Sequence, residues 1–290
     1  MHRKIIASLG TTFLLASVAQ AEEVIPPVVN GGTYVQHQIT VARQQHPEIA
    51  SIEVTGVPEG TAPIVLGSTA SASRVMQPAS ASLAGPGASW SSDKRLYTVR
   101  KAYVTSSGLP IGTIAITFNG AQPGNTARFD AVAEQIAGQM QRATFTTRNT
   151  VDPWPFDPKF GPDTQAQVLV EKFTAKYPEL LVMVIHATPP GSPTNVMIGS
   201  NIGRFGKVAD ADDLRVIDQG QSNLEISPDK KRFETELPLN DASGTRIGAL
   251  GLVFNLNPAE DKEALHRHGL AIRDELAAHI PNNASLFAKR

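Results

Sequence analysis

Residues 232–255, RFETELPLNDASGTRIGALGLVFN, predict a complete β-hairpin. In the first arm every second residue faces an apolar side, whereas Glu234 and Glu236 point the other way, as in a half-buried antiparallel strand. The second arm, residues 247–254, is apolar on both faces, which is typical of a central strand. The turn between the arms consists of residue types that favour turns, namely Asn240, Asp241, Ser243 and Gly244. The hairpin therefore predicts an antiparallel sheet.

The same pattern occurs earlier, in residues 95–119, RLYTVRKAYVTSSGLPIGTIAITFN. In both copies a helix comes first and is ended by a proline, Pro47 in one and Pro178 in the other. Two short strands, an irregular polar segment, the hairpin and a closing helix follow in the same order. We interpret this order as a tandem duplication, which predicts an α+β fold in which each repeat is an antiparallel sheet with a helix packed across one face.

The boundaries of the two copies follow from these elements. We expect the first repeat at residues 34–145, a Pro-rich linker at residues 146–162 and the second repeat at residues 163–290. The last helix of the second repeat is predicted to begin just after Asn257, which we expect to be its N-cap, and to end near Ile280.

The first residues predict an export signal. A basic start is followed by an apolar run at residues 5–18 and by Ala19-Gln20-Ala21, the small-x-small pattern of a cleavage site. We expect a signal peptide at residues 1–21, a linker at residues 22–33 and a periplasmic protein, with an uncleaved N-terminal anchor as the alternative. No later apolar run is long enough to cross a bilayer, so we expect no membrane span after cleavage.

The composition excludes several classes of function. A net charge of -1 with 18% charged residues provides no basic field for nucleic acid, so no nucleic-acid partner is expected. The absence of cysteine excludes disulfides and thiol chemistry. No nucleophile elbow, phosphate-binding loop, zinc pattern or dinucleotide fingerprint occurs, so we expect no cofactor and name no catalytic residue.

The closing hairpin carries a family resemblance. Its segments LPLND, residues 237–241, and IGALG, residues 247–251, with Gly244 between them, resemble the Cache branch of PAS-like extracellular sensor domains, and GSNIG at residues 199–203 supports this. The resemblance implies a five- or six-stranded antiparallel sheet with a long N-terminal helix across one face. It also implies a small-molecule pocket on the other face, walled by the irregular segment. We expect signal output to pass through a partner, such as a membrane receptor or transporter.

The second repeat is the richer of the two in polar groups within the irregular segment. Residues 199–217 read GSNIGRFGKVADADDLRVI, whereas residues 70–89 of the first repeat read ASASRVMQPASASLAGPGAS. On the adjoining strand the second repeat has an apolar face that keeps one titratable group, His186, which is the usual composition of a small-molecule pocket. The ligand-binding residues that we predict are His186, Asn201, Arg204, Lys207, Asp210 and Asp213.

The types of these residues suggest the class of ligand. Arg204 and Lys207 are suited to hold a carboxylate or a phosphate, and of these we expect a small organic acid. The alternative is a solvated loop whose charges pair with Asp210, Asp212 and Asp213, with His186 hydrogen-bonded in the core. The acidic trio lacks the glycine and the closing glutamate of a calcium loop, so we expect no metal.

The sequence thus predicts an exported sensor-type protein that binds a small molecule in its second repeat. A protein-interaction module with degenerate pockets, accessory to a membrane receptor or transporter, is the alternative, and an enzyme is the third hypothesis. A solvent-connected cavity would favour ligand binding, and a closed core beside an apolar surface would favour docking.

Overall fold

The computed structural model describes residues 32–58, 62–79, 85–93, 95–257 and 261–290. The expected signal peptide, residues 1–21, and nearly all of the expected linker after it lie outside the described residues. Among the helices that the structure describes, none is both long and apolar enough to cross a membrane.

The first repeat forms one antiparallel sheet with helices on one face. Its strands are β1 (Ile49–Gly56), β2 (Ile64–Ser68), β3 (Gly87–Trp90), β4 (Leu96–Val104) and β5 (Pro110–Asn119). Its α-helices are α1 (Tyr34–Gln45) and α2 (Ala127–Arg142), and a short 3-10 helix at Ala72–Arg74 follows β2.

The second repeat forms another such sheet. Its strands are β6 (Leu180–Ala187), β7 (Val196–Ser200), β8 (Asn223–Ile226), β9 (Arg232–Asn240) and β10 (Arg246–Asn255). Its helices are α3 (Gln165–Lys176), α4 (Ala211–Gln219), α5 (Lys262–Ala277) and α6 (Asn283–Leu286).

The two sheets have the same topology. Their strand orders are β2-β1-β5-β4-β3 and β7-β6-β10-β9-β8, and all neighbouring strands are antiparallel. The predicted α+β class, with two tandem repeats that are each an antiparallel sheet with a helix packed across one face, is confirmed. Both predicted hairpins are confirmed as well, as β4-β5 and β9-β10.

The first helix of each repeat begins and ends in the same way. Thr33 caps α1 by accepting a hydrogen bond from the backbone of Gln36, and Thr164 caps α3 by accepting one from the backbone of Gln167. Each helix ends just before the residue that precedes its proline, as the sequence predicts.

Each sheet buries one face against its helices. In the first repeat Ile52 and Val54 of β1 join the core formed with α1 and α2, and in the second Met183 and Ile185 of β6 join the core formed with α3 and α5. The apolar faces of β1 and β6 therefore have the same role in the two cores.

Two predicted elements need correction. The segment at 199–217 is not irregular throughout, because α4 begins at Ala211. Asp210 caps this helix by accepting from the backbone of Asp213, and the Asp213 side chain accepts in return from the backbone of Asp210. The last long helix begins at Lys262 with Asp261 as its N-cap, rather than after Asn257.

Candidate functional site

The face of the second sheet that lies opposite α3 and α5 carries three titratable side chains. Gly251 of β10 pairs with Val184 of β6 on one side and with Glu236 of β9 on the other. His186 lies two residues from Val184 on β6, and Glu234 lies two residues from Glu236 on β9. Their side chains are therefore on the same face of the sheet as those of Val184 and Glu236. The sheet register thus brings the histidine of β6 and the two glutamates of β9 onto one surface.

Helix α4 covers this surface and contacts β9 and β10. The side chains that α4 buries are Asp213 and Val216, so the helix points a carboxyl at the sheet. Its C-terminal end is held by Arg246 of β10, which donates hydrogen bonds of 2.8 and 3.0 Å to the carbonyl oxygens of Ile217 and Asp218. Arg246 therefore holds the end of α4 against the sheet.

Apolar side chains fill the rest of the covered face. They are Val182, Val184, Met197, Ile202 and Val253, with Phe145 and Leu181 packed against them. The face therefore combines an apolar wall with a small number of titratable groups, which is a common composition for a ligand site.

His186 is the most deeply buried of these titratable groups, with 3% of its surface exposed. Its Nε2 atom lies 3.6 Å from Oδ1 of Asp213, which is too far for a hydrogen bond. Its Nδ1 atom is buried and has no hydrogen-bond partner among the described residues. Because nearly all buried polar groups in folded proteins have partners, this imidazole has unused capacity for a hydrogen bond.

The pKa of His186 is lowered to about 4, first by its burial and then by the positive charge of Lys207, which the charge of Asp210 partly offsets. The ring is therefore neutral at neutral pH. A neutral imidazole offers one donor and one acceptor.

Burial and the charges of neighbouring carboxylates raise the pKa of all three carboxyls. That of Asp213 is raised to about 6 by burial and by the charge of Asp210. That of Glu234 is raised to about 7 by burial and by the charges of Glu225 and Asp213. That of Glu236 is raised to about 8 by burial and by the charges of Asp213 and Glu234, although it accepts a hydrogen bond of 3.2 Å from Asn223. Such shifts concentrate at functional sites.

The structure brings four of the six predicted binding residues together at this cluster. His186 and Asp213 face each other, and the charges of Lys207 and Asp210 act on the pKa values of both. Asp210 also has a structural role, because it is the N-cap of α4.

The other two predicted binding residues have structural partners instead. Asn201 bridges the backbone of β6, because its side chain accepts from Met183 at 2.9 Å and donates to Leu181 at 3.0 Å. Arg204 donates from Nε to Asp152 at 2.7 Å, with both side chains largely buried. Arg204 therefore pairs neither with the predicted acidic trio nor with the cluster beside His186.

Glu234 and Glu236 are site residues that the sequence did not single out. Their alternation with apolar residues showed that they share a face, but the same alternation is typical of a solvated face. The missed signal was the Asp-x-x-Asp pattern at residues 210–213, which predicts a helix start and therefore a cover over that face.

The loop that leads into α4 is also attached to the linker between the repeats. Besides the ion pair between Arg204 and Asp152, Asn149 donates to the carbonyl of Ile202 at 3.2 Å. The backbone of Phe205 accepts a 3.0 Å hydrogen bond from Phe156, and other contacts in this junction are aromatic. Direct contacts therefore join the loop that leads into α4 to the linker between the repeats.

A second concave surface lies between the repeats. This groove has a volume of about 1010 Å³ and is lined by α1, the end of α2, α3 and the linker. Many of its side chains are amides, and His37 stacks on Trp154 at one end with their rings 4.2 Å apart. It lacks the concentration of shifted carboxyls found beside His186.

Within the described part of the chain, no group of three or more His, Asp or Glu side chains is arranged to hold a metal ion.

Comparisons with known proteins do not identify a family. No model of a protein family matches the sequence, and no curated protein matches it. One solved structure with a similar arrangement is a double mutant of the inducer-binding domain of the transcription factor PobR from Acinetobacter, in complex with 3-hydroxybenzoic acid. The match covers 40% of this chain and 95% of that chain, at 12% identity and a TM-score of 0.29. Similarity at this level assigns no function to the chain.

Proposed function

We propose that the chain is a sensor-type binding protein whose second repeat holds a small molecule between the His186 face and α4. The observation that carries this proposal is the imidazole of His186, which is buried beside Asp213 and whose Nδ1 atom has no hydrogen-bond partner among the described residues. A polar ligand would supply the missing partner, while the neighbouring apolar wall would exclude water.

The difference between the repeats supports this assignment. Thr55 occupies the position in β1 that corresponds to His186 in β6, and Glu53 corresponds to Val184. Glu53 is already paired with Arg74 at 2.6 Å, on a half-exposed surface. The ion pair gives the carboxylate of Glu53 a partner, whereas the Nδ1 atom of His186 in the second repeat has none among the described residues.

The cellular setting is part of the same proposal. Residues 1–21 have the pattern of an export signal, which supports a periplasmic protein, and the hairpin resemblance supports membership of the Cache branch. Output would then reach a membrane receptor or transporter through the junction that holds the loop before α4.

The proposed organic acid has less support than the site itself. It depended on Arg204 and Lys207 acting together, and Arg204 is paired with Asp152. Lys207 is left as the proposed clamp, and it lies among the carboxyls that raise one another's pKa.

A thermal-shift screen of metabolites tests the proposal. A ligand should raise the melting temperature of the wild-type protein and fail to raise that of His186→Ala. The matched control is Thr55→Ala at the corresponding position of the first repeat, which should respond as the wild type does. The proposal fails if no compound has an effect, or if His186→Ala keeps the full response.

Protein interaction through a filled pocket is the second candidate function. The five apolar side chains packed beside His186 favour it, because they occupy part of the face where a ligand would lie. Native mass spectrometry of the protein taken from its own cells would distinguish the two functions by showing a bound partner protein without any retained small molecule.

A further inference from the structure

The carboxyl groups of the site come from two elements, helix α4 and the sheet face that it covers. Asp213 extends from α4 above the sheet, whereas Glu234 and Glu236 extend from β9 within it. The charge of Asp213 raises the pKa of both glutamates, and the charge of Glu234 raises that of Glu236. The charge of Asp210 raises the pKa of all three carboxyls, and the charge of Glu225 raises that of Glu234.

The positive charges of Arg232 and Lys207 only partly offset the effect of these negative charges on the carboxyl pKa values. Arg232 lowers the pKa of Glu234, but its guanidinium lies over the ring of Phe145, 4.7 Å from the ring centre. Lys207 lowers the pKa of Asp213 and of His186. The pKa shifts of Glu234 and Asp213 remain upward despite these cations, and neighbouring carboxylates add to the effect of burial at all three carboxyls. An added positive charge would offset this repulsion.

The imidazole of His186 supplies an independent indication. With its proton on Nε2, facing Asp213, the ring would present the lone pair of the unpartnered Nδ1 as a hydrogen-bond acceptor. Carboxylates are also acceptors. The unpartnered Nδ1 and the carboxyls in their ionised form are therefore acceptors, which a group with several N–H donors satisfies.

We infer that the ligand of this site is an organic cation with a primary ammonium group, bound by the carboxylates of Asp213, Glu234 and Glu236 and by His186. This inference rests on the proposed function, since it names the class of ligand for the same site. An ammonium group has three donors and a full positive charge, and it matches acceptors that converge from two sides. An organic acid would add negative charge to a space that already resists it.

Binding of a cation would have a measurable effect on protons. An added positive charge favours the ionised form of nearby carboxyls, so protons held by Glu234 and Glu236 near neutral pH would leave as the cation enters. An anion would have the opposite effect and would increase the number of protons held. The direction of proton exchange therefore distinguishes the two classes of ligand.

The experiment is isothermal titration calorimetry of the full chain at pH 7 in two buffers of different ionisation enthalpy. The probes form matched sets: propylamine and 1,4-diaminobutane as cations, 1-butanol and 1,4-butanediol as neutral counterparts, and butyrate and succinate as anions. We expect at least one amine to bind with release of protons, and the neutral and anionic counterparts not to bind. Glu236→Gln and Glu234→Gln should each weaken amine binding about tenfold.

Glu53→Gln is the matched control, because Glu53 lies on the corresponding face of the first repeat, in an ion pair with Arg74. It should bind the amine as the wild type does. Binding of succinate, butyrate or a diol in place of the amines, lost in His186→Ala, would overturn the inference and leave the proposed function standing. Amine binding that survives both glutamate substitutions would overturn the assignment to this site. If no probe binds and the metabolite screen is also negative, both proposals fail.

Discussion

The two repeats share a topology and a core but differ on the sheet face that lies away from the long helices. In the first repeat this face carries Glu53 and Arg74 as a solvent-accessible ion pair. In the second it carries His186 and two glutamates, covered by α4. Duplication has thus kept the face that folds each sheet, while the other face has diverged. The candidate site therefore lies on the sheet face that is not packed into the core shared by the two repeats.

The strongest shared constraint is a glycine near the start of the last strand of each repeat. A Cβ atom on Gly112 would lie 2.0 Å from the carbonyl oxygen of Thr55, and one on Gly248 would lie 1.8 Å from that of His186. Backbone cannot move aside as a flexible side chain can. We therefore predict that Gly112→Ala and Gly248→Ala each lower the free energy of unfolding by about 3 kcal/mol or more, measured by urea denaturation.

The control for this pair is Gly138→Ala in α2, where the added Cβ meets only the end of the Arg142 side chain, at 3.5 Å. It should stabilise the protein, since alanine is the better helix former. A large effect at one of the paired glycines with none at the other would break the equivalence of the two repeats.

The junction beside the second repeat gives the next largest predicted effect. Arg204→Ala would leave the carboxylate of Asp152 buried with Asn149 as its remaining side-chain donor. We expect a loss of about 3 kcal/mol in the free energy of unfolding, measured by denaturation. Arg74→Ala, which breaks the half-exposed pair of the first repeat, should cost less than about 1 kcal/mol. Equal losses in the two variants would contradict the difference in burial between these pairs.

A third prediction concerns pH. A carboxyl whose pKa is raised by folding favours the folded state at low pH, and that contribution is lost as pH rises through the folded-state value. With Glu234 raised to about 7 and Glu236 to about 8, stability should fall between pH 6.5 and pH 8, by about 2 kcal/mol after allowance for partial exposure. His186 acts in the opposite direction, but only below about pH 6.5, because its pKa is lowered.

Denaturation curves across this pH range provide the measurement. Glu236→Gln should flatten the fall and raise stability at pH 8, whereas Glu53→Gln in the first repeat should leave the slope unchanged. A wild-type stability that is constant from pH 6.5 to pH 8 would mean that the carboxyls are better solvated than their burial indicates.

Local patterns in the sequence were sufficient for most of the fold. Period-2 alternation and turn residues predicted both hairpins, and the prolines at 47 and 178 predicted where α1 and α3 end. The start of α4 was missed because the Asp-x-x-Asp pattern at residues 210–213 can be interpreted as a polar loop or as a helix cap. The helix that begins in this pattern has only 9 residues, so the periodicity of its apolar residues did not decide between a loop and a helix.

The candidate site was only partly accessible from the sequence. His186 could be predicted because a titratable group on an otherwise apolar strand is unusual. The role of Arg204 could not, because its partner Asp152 lies in the linker, 52 residues away along the chain. Spacing along a loop does not reveal a contact that depends on how two repeats are joined.

By itself, the sequence predicted most of the secondary structure, the repeated order of elements and the face of each strand that enters the core, because alternation, capping and turn chemistry act between neighbours along the chain. The tertiary structure alone decided that Glu234, Glu236 and His186 share the sheet face that α4 covers. Their shifted pKa values come from burial and from charges on other elements, and both depend on distances in space. The hairpin at residues 232–255 therefore specifies the fold through one face and contributes to the candidate site through the other.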